Sequence, residues 1–189
     1  GVDWKKFNLP ANDLIQAFDA ENDNIRKNAS IVYENVSGLW SDPHYSQTMY
    51  PFINKWRNFG GDGAQNYIFI RLADILLLKA EAVNELGDVP GAAGLVDQIR
   101  DRVNLAPTTA STQAAMRLAI EKERRLELAF EGVRWYDLKR TGRAIEVINQ
   151  AKGADGNPIG YMLNATHLLW PVPQAELDKN QNLTQNPGY

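Results

Sequence analysis

The sequence predicts a mainly α fold with long irregular loops and an extended C-terminal tail. Apolar residues recur at helical spacing over residues 67–152, and helix-capping residues separate these periodic segments. Aromatic residues cluster with Asp-Pro and glycine turn signals over residues 38–63, which predicts long loops. We therefore divide the 189-residue chain, as one domain, into a loop-rich aromatic segment (1–66), a helical scaffold (67–152) and a turn with an extended tail (153–189).

The loop-rich segment contains few predicted regular elements. Leu14, Ile15 and Phe18 recur at helical spacing and predict a short helix over residues 12–18. A strand is predicted at residues 30–36. The rest of this segment is predicted to form ordered loops.

The scaffold begins with a predicted helical hairpin. Polar positions form one narrow stripe along residues 67–86, so this helix must be covered on more than one side. Gly87 is the predicted C-cap, Asp88 the next N-cap, and Pro90 fits the first turn of a second, one-faced helix. The alanine-rich pair resembles a tetratricopeptide unit, but no second copy occurs at a period of roughly 34 residues. The hairpin therefore needs neighbours to bury its core.

Further helices follow the hairpin. A third helix is predicted from about residue 111 to 131, a fourth over 134–140 and a fifth from residue 144 up to Gly153. A turn or small hairpin follows at 152–161, and two prolines flanking Val172 predict an extended tail.

Composition excludes several function classes. The net charge of −3 argues against a nucleic-acid platform, and the absence of cysteine excludes disulfides, thiol nucleophiles and thiolate metal sites. His44 and His167 are not in metal-ligand spacing, so no metal or cofactor is predicted. Asp19, Glu21 and Asp23 alternate without the glycine and distal glutamate of an EF-hand, which favours a solvated loop. Calcium in an acidic loop stays open.

A charge-dense block at residues 120–142 is the candidate for catalysis. A glycoside hydrolase would need two carboxylates there, from the set Glu121, Glu123, Glu127, Glu131 and Asp137. We favour ion pairing instead, because Glu121–Arg125 and Arg124–Glu127 have the spacing of helical pairs. Glu123 falls on the apolar face and would need a cation, for which Arg100 and Arg134 are candidates. No catalytic residue is predicted.

Ligand binding is predicted at the aromatic loops. Exposed aromatic rings stack on the apolar face of a sugar while polar neighbours bond its hydroxyls. The candidates are the rings of Trp40, Tyr45 and Trp56 with the polar partners Asp42, His44 and Arg57. Packing of these rings in a core is the alternative reading.

Three long stretches resemble one family. They are IRLADILLLKAEAVNELGD (70–88), IEKERRLELAFEGVRWYDLKRTG (120–142) and LLWPVPQAELDKNQNLTQNPGY (168–189). In this order they resemble the SusD/RagB family, and ENDNIRKNAS (21–30) resembles its acidic-plus-arginine segment more loosely. Gln181 stands where proline is common in the family.

The resemblance implies a non-catalytic lipoprotein on the outer face of the outer membrane. Such proteins capture glycans or other nutrients and pass them to a SusC-like TonB-dependent transporter. The chain is then expected to be the C-terminal part, with a lipid anchor on the remainder as its contact with the membrane. Family motifs do not assign the ligand contacts. The alternatives are a scaffold that mainly contacts the transporter, a non-carbohydrate nutrient and, least favoured, a glycoside hydrolase.

Overall fold

The computed structural model describes residues 8–36, 42–55 and 68–189. The chain divides into two units, Gly1–Arg134 and Trp135–Tyr189. The described part is mainly helical, as predicted. The first unit contains α1 (Asn12–Ala20), α2 (Asn24–Ser30), β1 (Ile31–Glu34), β2 (Tyr50–Ile53), α3 (Leu72–Glu85), α4 (Val89–Asp101) and α5 (Gln113–Glu127). The chain continues with α6 (Arg134–Arg140), α7 (Ala144–Asn149), a 3₁₀ turn (Ala165–Leu168) and α8 (Gln174–Lys179).

The hairpin of α3 and α4 has the predicted N-cap Asp88, while the C-cap of α3 is Leu86, one residue before the predicted Gly87. Gly87 takes φ +90°, a backbone conformation that side chains disfavour, and so ends α3. The Asp88 carboxylate accepts a hydrogen bond of 2.8 Å from the Gly91 backbone N–H, and Pro90 lies in the first turn of α4. Local chemistry therefore fixes this turn.

An apolar core lies between α3, α4 and the N-terminal half of α5. It consists of Ala73, Leu77, Ala80, Ala92, Val96, Ile99, Met116 and Ile120. Ala80 and Ala92 are fully buried, and their small side chains let the two helices approach closely. α5 thus supplies a neighbour that the hairpin needs, while its likeness to a tetratricopeptide unit stays a prediction.

Helix α3 starts later than its periodicity predicted. Arg71 is the N-cap, with extended backbone at φ −138° and ψ 162°, and helix begins at Leu72. The apolar residues Ile70, Leu72 and Ile75 are exposed in this chain. The pattern correctly predicted an apolar segment, but α3 is covered here mainly on the side that carries Ala73 and Leu77.

Helix α5 ends at Glu127, four residues before its predicted end. Two cations bind backbone carbonyl groups at and just after this end. Lys55 Nζ donates to the backbone carbonyl oxygen of Glu127 at 2.6 Å and to that of Ala129 at 3.1 Å. Arg71 Nη2 also donates to the backbone carbonyl oxygen of Glu127, at 2.6 Å. Cations at this position satisfy unpaired carbonyls and complement the helix dipole. Phe130 then adopts φ +67°, which turns the chain away from the helix axis.

Helix α2 and strand β2 correct the prediction of loops in the first segment. Asp23 caps α2 by accepting a hydrogen bond from the Arg26 backbone N–H at 3.1 Å. β2 pairs with β1 in antiparallel register, with Ile31 opposite Ile53 and Tyr33 opposite Pro51. The β2 pairing was missed because a short strand containing proline has a weak local pattern and depends on its partner.

A smaller apolar cluster supports this part of the first unit. It joins Phe18 of α1, Ile31 of β1, Leu126 of α5 and Ala129. The predicted helix over 12–18 is confirmed, and its buried Phe18 is the residue that packs in this cluster. The C-terminal half of α5 thereby lies beside α1 and β1.

The second unit contains the predicted small hairpin and a tail with two short helical segments. A bridge pairs Lys152 with Pro158, while a 3₁₀ turn and α8 interrupt the tail. Pro171 and Pro173 carry no N–H, so Val172 has the single backbone donor of this Pro-Val-Pro run. The Gln185 side chain accepts from that N–H at 2.7 Å and donates to the Val172 oxygen at 2.9 Å.

The last residues of the tail hold the same stretch. Asn186 Nδ2 donates to the Trp170 oxygen at 2.6 Å, and the Tyr189 hydroxyl donates to the Leu169 oxygen at 2.9 Å. The Gln-Asn-Pro-Gly-Tyr ending therefore binds the backbone of the Leu-Trp-Pro-Val-Pro stretch within the second unit. Among the helices in the described ranges, none is long and apolar enough to cross a membrane.

Candidate functional site

Three of the six predicted ligand-binding residues fall within the described structure. Asp42, His44 and Tyr45 lie in the connection between β1 and β2. The other three, Trp40, Trp56 and Arg57, lie outside the described residues. The aromatic site therefore stays a prediction as a whole.

Tyr45 anchors the connection in which it lies. Its hydroxyl donates to the Pro10 carbonyl oxygen at 3.0 Å, and its ring lies 5.6 Å from that of Tyr50 with the planes tilted by 60°. Burial raises the pKa of the Tyr45 hydroxyl, and the negative charge of Asp42 adds to the rise. The hydroxyl already has a partner in this structure, while the half-buried ring retains some exposed surface.

Asp42 and His44 form a local turn. The backbone N–H of Asp42 donates to the Tyr50 hydroxyl at 2.7 Å, and the backbone N–H of His44 donates to Asp42 Oδ1 at 2.9 Å. This Asx turn orders the loop without using the imidazole, and His44 is exposed. Tyr45 belongs to the same turn, since its backbone N–H donates to the Asp42 carbonyl oxygen at 3.2 Å.

A network of buried charges forms a second candidate site, centred on Glu123. The Glu123 side chain is 1% exposed and is bound by Arg26 Nη1 at 2.6 Å and Arg100 Nη1 at 3.0 Å. The predicted partner Arg100 is confirmed. Arg134 instead binds Glu121, at 3.2 Å. Sequence reasoning missed Arg26, which precedes Glu123 by 97 residues.

The Glu127 carboxylate accepts hydrogen bonds from three guanidinium groups. Arg71 Nη1 and Arg102 Nη2 each donate to it at 2.6 Å, and Arg26 Nη1 at 3.2 Å. Burial alone would raise the pKa of Glu127, but Arg71, Arg102 and Arg26 outweigh it and hold that pKa below its ordinary value. Glu127 is therefore ionised at neutral pH.

Glu131 extends the network towards Lys55. Arg71 binds the Glu131 carboxylate in two places, each at 2.8 Å, and Lys55 Nζ lies 2.5 Å from Oε1. Burial opposes ionisation of Glu131, yet its hydrogen bonds to Arg71 and Lys55 lower its pKa. Burial lowers the pKa of Lys55, although Glu131 opposes that shift. Two-point Arg–carboxylate contact fixes orientation as well as charge.

The remaining charges of the block pair mainly between elements. Arg124 binds Asp74 of α3 at 2.8 Å, and Arg125 binds Asp13 of α1 at 2.6 Å. The sequence predicted partners along α5 for both arginines, whereas the structure supplies partners on helices distant in sequence. Within α6, Asp137 pairs with Arg140 at 2.9 Å. Structural ion pairing, favoured over catalysis from the sequence, accounts for these groups.

The acidic residues predicted to lie in a solvated loop span the end of α1 and the turn to α2, and only Asp19 is largely exposed. Asp23 is buried against Arg26, while Asp19 pairs with Lys27 at 2.5 Å and Glu21 with Arg100 at 2.9 Å. Within residues 8–36, 42–55 and 68–189, no three carboxylate or histidine groups are placed to hold a metal ion. Asp19, Glu21 and Asp23 each have a cationic side chain as a partner instead.

An open depression of about 350 Å³, here named the basic depression, lies beside this network. It is lined by Arg26, Ala29, Ser30, Lys55, Arg71, Arg102 and Glu127. The sequence did not predict it because its cations come from α2, the end of β2, the start of α3 and the end of α4. The one sequence feature that could have indicated it is that Arg26 and Arg71 both lie in stretches that resemble the family.

Comparison with known proteins assigns the chain to a family. The sequence model of the SusD family matches residues 12–189. SusD-like protein P2 of Formosa agariphila is 37% identical over 83% of this chain and 32% of its own length. The starch-binding protein SusD of Bacteroides thetaiotaomicron is 28% identical over 96% of this chain and 36% of its own length.

A solved structure agrees with the sequence comparison. A laminarin-binding SusD-like protein shares 34% identity with a TM-score of 0.68, over 96% of this chain and 38% of that one. The chain spans between 25% and 36% of the length of the curated relatives that it matches. Because the family match covers almost every residue from α1 to the tail, this chain belongs to the SusD family.

Proposed function

We propose that this chain is part of a protein that captures glycans on the outer face of the outer membrane. The captured glycan is delivered to a SusC-like TonB-dependent transporter, and a lipid anchor on the rest of the protein holds it at the membrane. The observation that carries the proposal is the likeness, over nearly the whole chain, to a laminarin-binding SusD-like structure at 34% identity. The resemblance to a starch-binding relative supports the same ligand class.

The chemistry of the carboxylates supports a non-catalytic role. A glycoside hydrolase needs a general acid whose pKa is raised so that it keeps its proton. Glu127 and Glu131 instead have lowered pKa values because arginine and lysine side chains bind them. Glu121 and Glu123 also bind arginines. These groups are suited to holding elements together rather than to transferring protons.

Affinity electrophoresis of the intact protein tests glycan capture. Native gels would contain soluble glycans of plant, microbial and host origin, and reducing sugar would be assayed in parallel. We expect retardation by at least one glycan without release of reducing ends. Substitution of Trp40 or Trp56 by alanine should abolish the retardation. Tyr45→Ala should weaken it less, because the Tyr45 hydroxyl already donates to the Pro10 carbonyl oxygen and so contributes less to a ligand.

The same gels separate the alternatives. Release of reducing ends, lost in Glu123→Gln without loss of folding, would indicate a hydrolase. Unchanged retardation in the tryptophan variants, with weaker association to the transporter, would favour a docking scaffold. An intact protein that binds no glycan would overturn the proposal and point to another nutrient.

A further inference from the structure

The wall of the basic depression is rich in cations. Four positively charged side chains line it with one carboxylate: Arg26, Lys55, Arg71, Arg102 and Glu127. Asp23, Glu123 and Glu131 bind some of these cations but do not line the depression. The lining itself therefore carries more cations than carboxylates, which favours an anion.

Arg26, which lines the depression, has one unused donor. Its side chain is only 6% exposed, and its Nε and Nη1 groups bind Asp23, Glu123 and Glu127. Its Nη2 group is buried and has no hydrogen-bond partner in the described structure. Buried charged donors are normally satisfied, so this nitrogen lacks an acceptor that the described residues do not supply, in a residue that lines the depression.

Arg102 provides the accessible cation. Its side chain is 55% exposed, against 28% for Arg71 and 22% for Lys55. One hydrogen bond from Nη2 holds it to Glu127 Oε2 at 2.6 Å. Most of the five N–H groups of an arginine remain for a ligand after one such bond. Lys55, in contrast, already binds the carbonyl oxygens of Glu127 and Ala129.

The size of the depression suits a small charged group. At about 350 Å³ it lies at the lower end of small-molecule sites, which span roughly 300 to 1,000 Å³. Such a volume admits one substituent of a sugar ring, while the polysaccharide chain extends outside. Ala29 and Ser30 complete the lining.

We propose that the basic depression binds the anionic substituent of an acidic glycan, the carboxylate of a uronic acid or a sulfate ester, through Arg26 and Arg102. This assignment rests on the proposed glycan capture and narrows it to a substrate class. A carboxylate is planar and a sulfate ester is tetrahedral, and each presents at least two oxygens that a guanidinium group can bind with two N–H groups. The depression adds a charged subsite to whatever surface holds the sugar rings.

Isothermal titration calorimetry of the intact protein would test this assignment. The three probes are oligogalacturonate, which carries carboxylates, carrageenan oligosaccharide, which carries sulfate esters, and neutral laminarin oligosaccharide. Arg102→Gln is the test variant and Arg117→Gln the matched control. Arg117 is 49% exposed and pairs with a single carboxylate, Glu85, away from the depression. Both variants remove one positive charge, so general attraction to polyanions changes equally.

Weaker binding of one acidic probe in Arg102→Gln, by about tenfold, is the expected result, since one charge-assisted hydrogen bond contributes about that factor. Arg117→Gln should change the affinity less than about twofold. Arg102→Lys, which keeps the charge, should retain intermediate binding and replaces Arg102→Gln if that variant unfolds. The probe that responds distinguishes the carboxylate from the sulfate ester.

Three outcomes would overturn the assignment. Equal losses in Arg102→Gln and Arg117→Gln would reveal general charge attraction. Binding of laminarin alone would leave glycan capture standing and remove the anionic subsite. Binding of no probe in this set, with failure of the wider glycan panel, would remove the subsite and glycan capture together.

Discussion

The two halves of α5 pack in opposite ways. The N-terminal half buries Met116 and Ile120 in the apolar core with α3 and α4. The C-terminal half buries Glu123 and Glu127 among arginines that arrive from α2, from the start of α3 and from the end of α4. One helix thus joins an apolar interface and an ionic one, with Leu126 as the apolar contact in the second half.

The difference teaches how each kind of interface tolerates change. Apolar contacts are non-directional, so a shortened side chain loses area and leaves a cavity in proportion to its size. Buried ion pairs depend on every partner, because removing one leaves the others charged and desolvated. The ionic half of α5 should therefore be the more sensitive half. The first three of the following experiments test that ordering, and the fourth adds a local contact in the tail for comparison.

Glu123→Gln should produce the largest loss of stability. It leaves Arg26 and Arg100 with one carboxylate fewer in a buried setting, for which we expect about 3 to 5 kcal/mol in the free energy of unfolding. Urea denaturation monitored by circular dichroism would measure the loss. Glu85→Gln is the control because it breaks an exposed pair with Arg117, and it should change stability far less. Similar losses in both variants would contradict the special sensitivity of the ionic half.

Met116→Ala should cost about 3 kcal/mol, since it opens a cavity in the apolar half of α5. Leu118→Ala on the same helix is the matched control. Leu118 is 55% exposed, so its truncation should change the free energy of unfolding by less than about 0.5 kcal/mol. Urea denaturation of the two variants gives the comparison, and a Met116→Ala loss above that of Glu123→Gln would reverse the proposed ordering.

The contribution of Glu127, in the ionic half of α5, to the free energy of unfolding should decrease in acid. The folded pKa of Glu127 lies below its ordinary value of about 4.5, so its contribution is complete above that pH. As the pH falls through the folded pKa, protonation of the folded state removes this contribution. The stability gap between the unmodified protein and Glu127→Gln should therefore shrink in acid, by about 1.4 kcal/mol for each unit of pKa depression. Urea titrations at several pH values would measure it, and a constant gap would show that Glu127 does not carry the linkage.

Gln185→Ala should have the smallest effect, confined to the tail. The Val172 N–H loses its acceptor in a part-buried setting, for which we expect a loss of about 1 kcal/mol in local stability. Hydrogen exchange at the Val172 amide would then be about fivefold faster. Gln181→Ala, at an exposed position of the same tail, is the control. Equal exchange in both variants would show that Gln185 does not hold the Pro-Val-Pro stretch.

Local chemistry explains which elements could be predicted. Gly87, Asp88 and Pro90 specify the turn of the hairpin locally. Asp88 and Pro90 have their predicted roles, and Gly87 lies one residue after the C-cap Leu86. The ends of α3 and α5 could not be predicted in this way. Arg71 leaves the helical pattern to bind Glu127 and Glu131, and Lys55 binds the last carbonyls of α5. Both events depend on groups that are distant in sequence.

The candidate sites divide along the same line. The sequence nominated the aromatic loop from residue type alone, and Asp42, His44 and Tyr45 do lie in one connection. It also predicted that a buried Glu123 needs a cation, because an unpaired charge in a core is costly. It did not predict Arg26 or the basic depression, since the four cations of that wall come from separate elements.

The sequence by itself determined the helical class, the caps of the hairpin, the apolar face of α5 and the family resemblance, because these depend on residues within a few turns of one another. The tertiary structure alone decided which carboxylate meets which cation, where α3 begins and α5 ends, and that a depression lined by four cations exists. The physical reason is range. Caps and periodicity act over a few residues, whereas an ion pair such as Arg26 with Glu123 joins groups 97 positions apart that only folding brings to 2.6 Å.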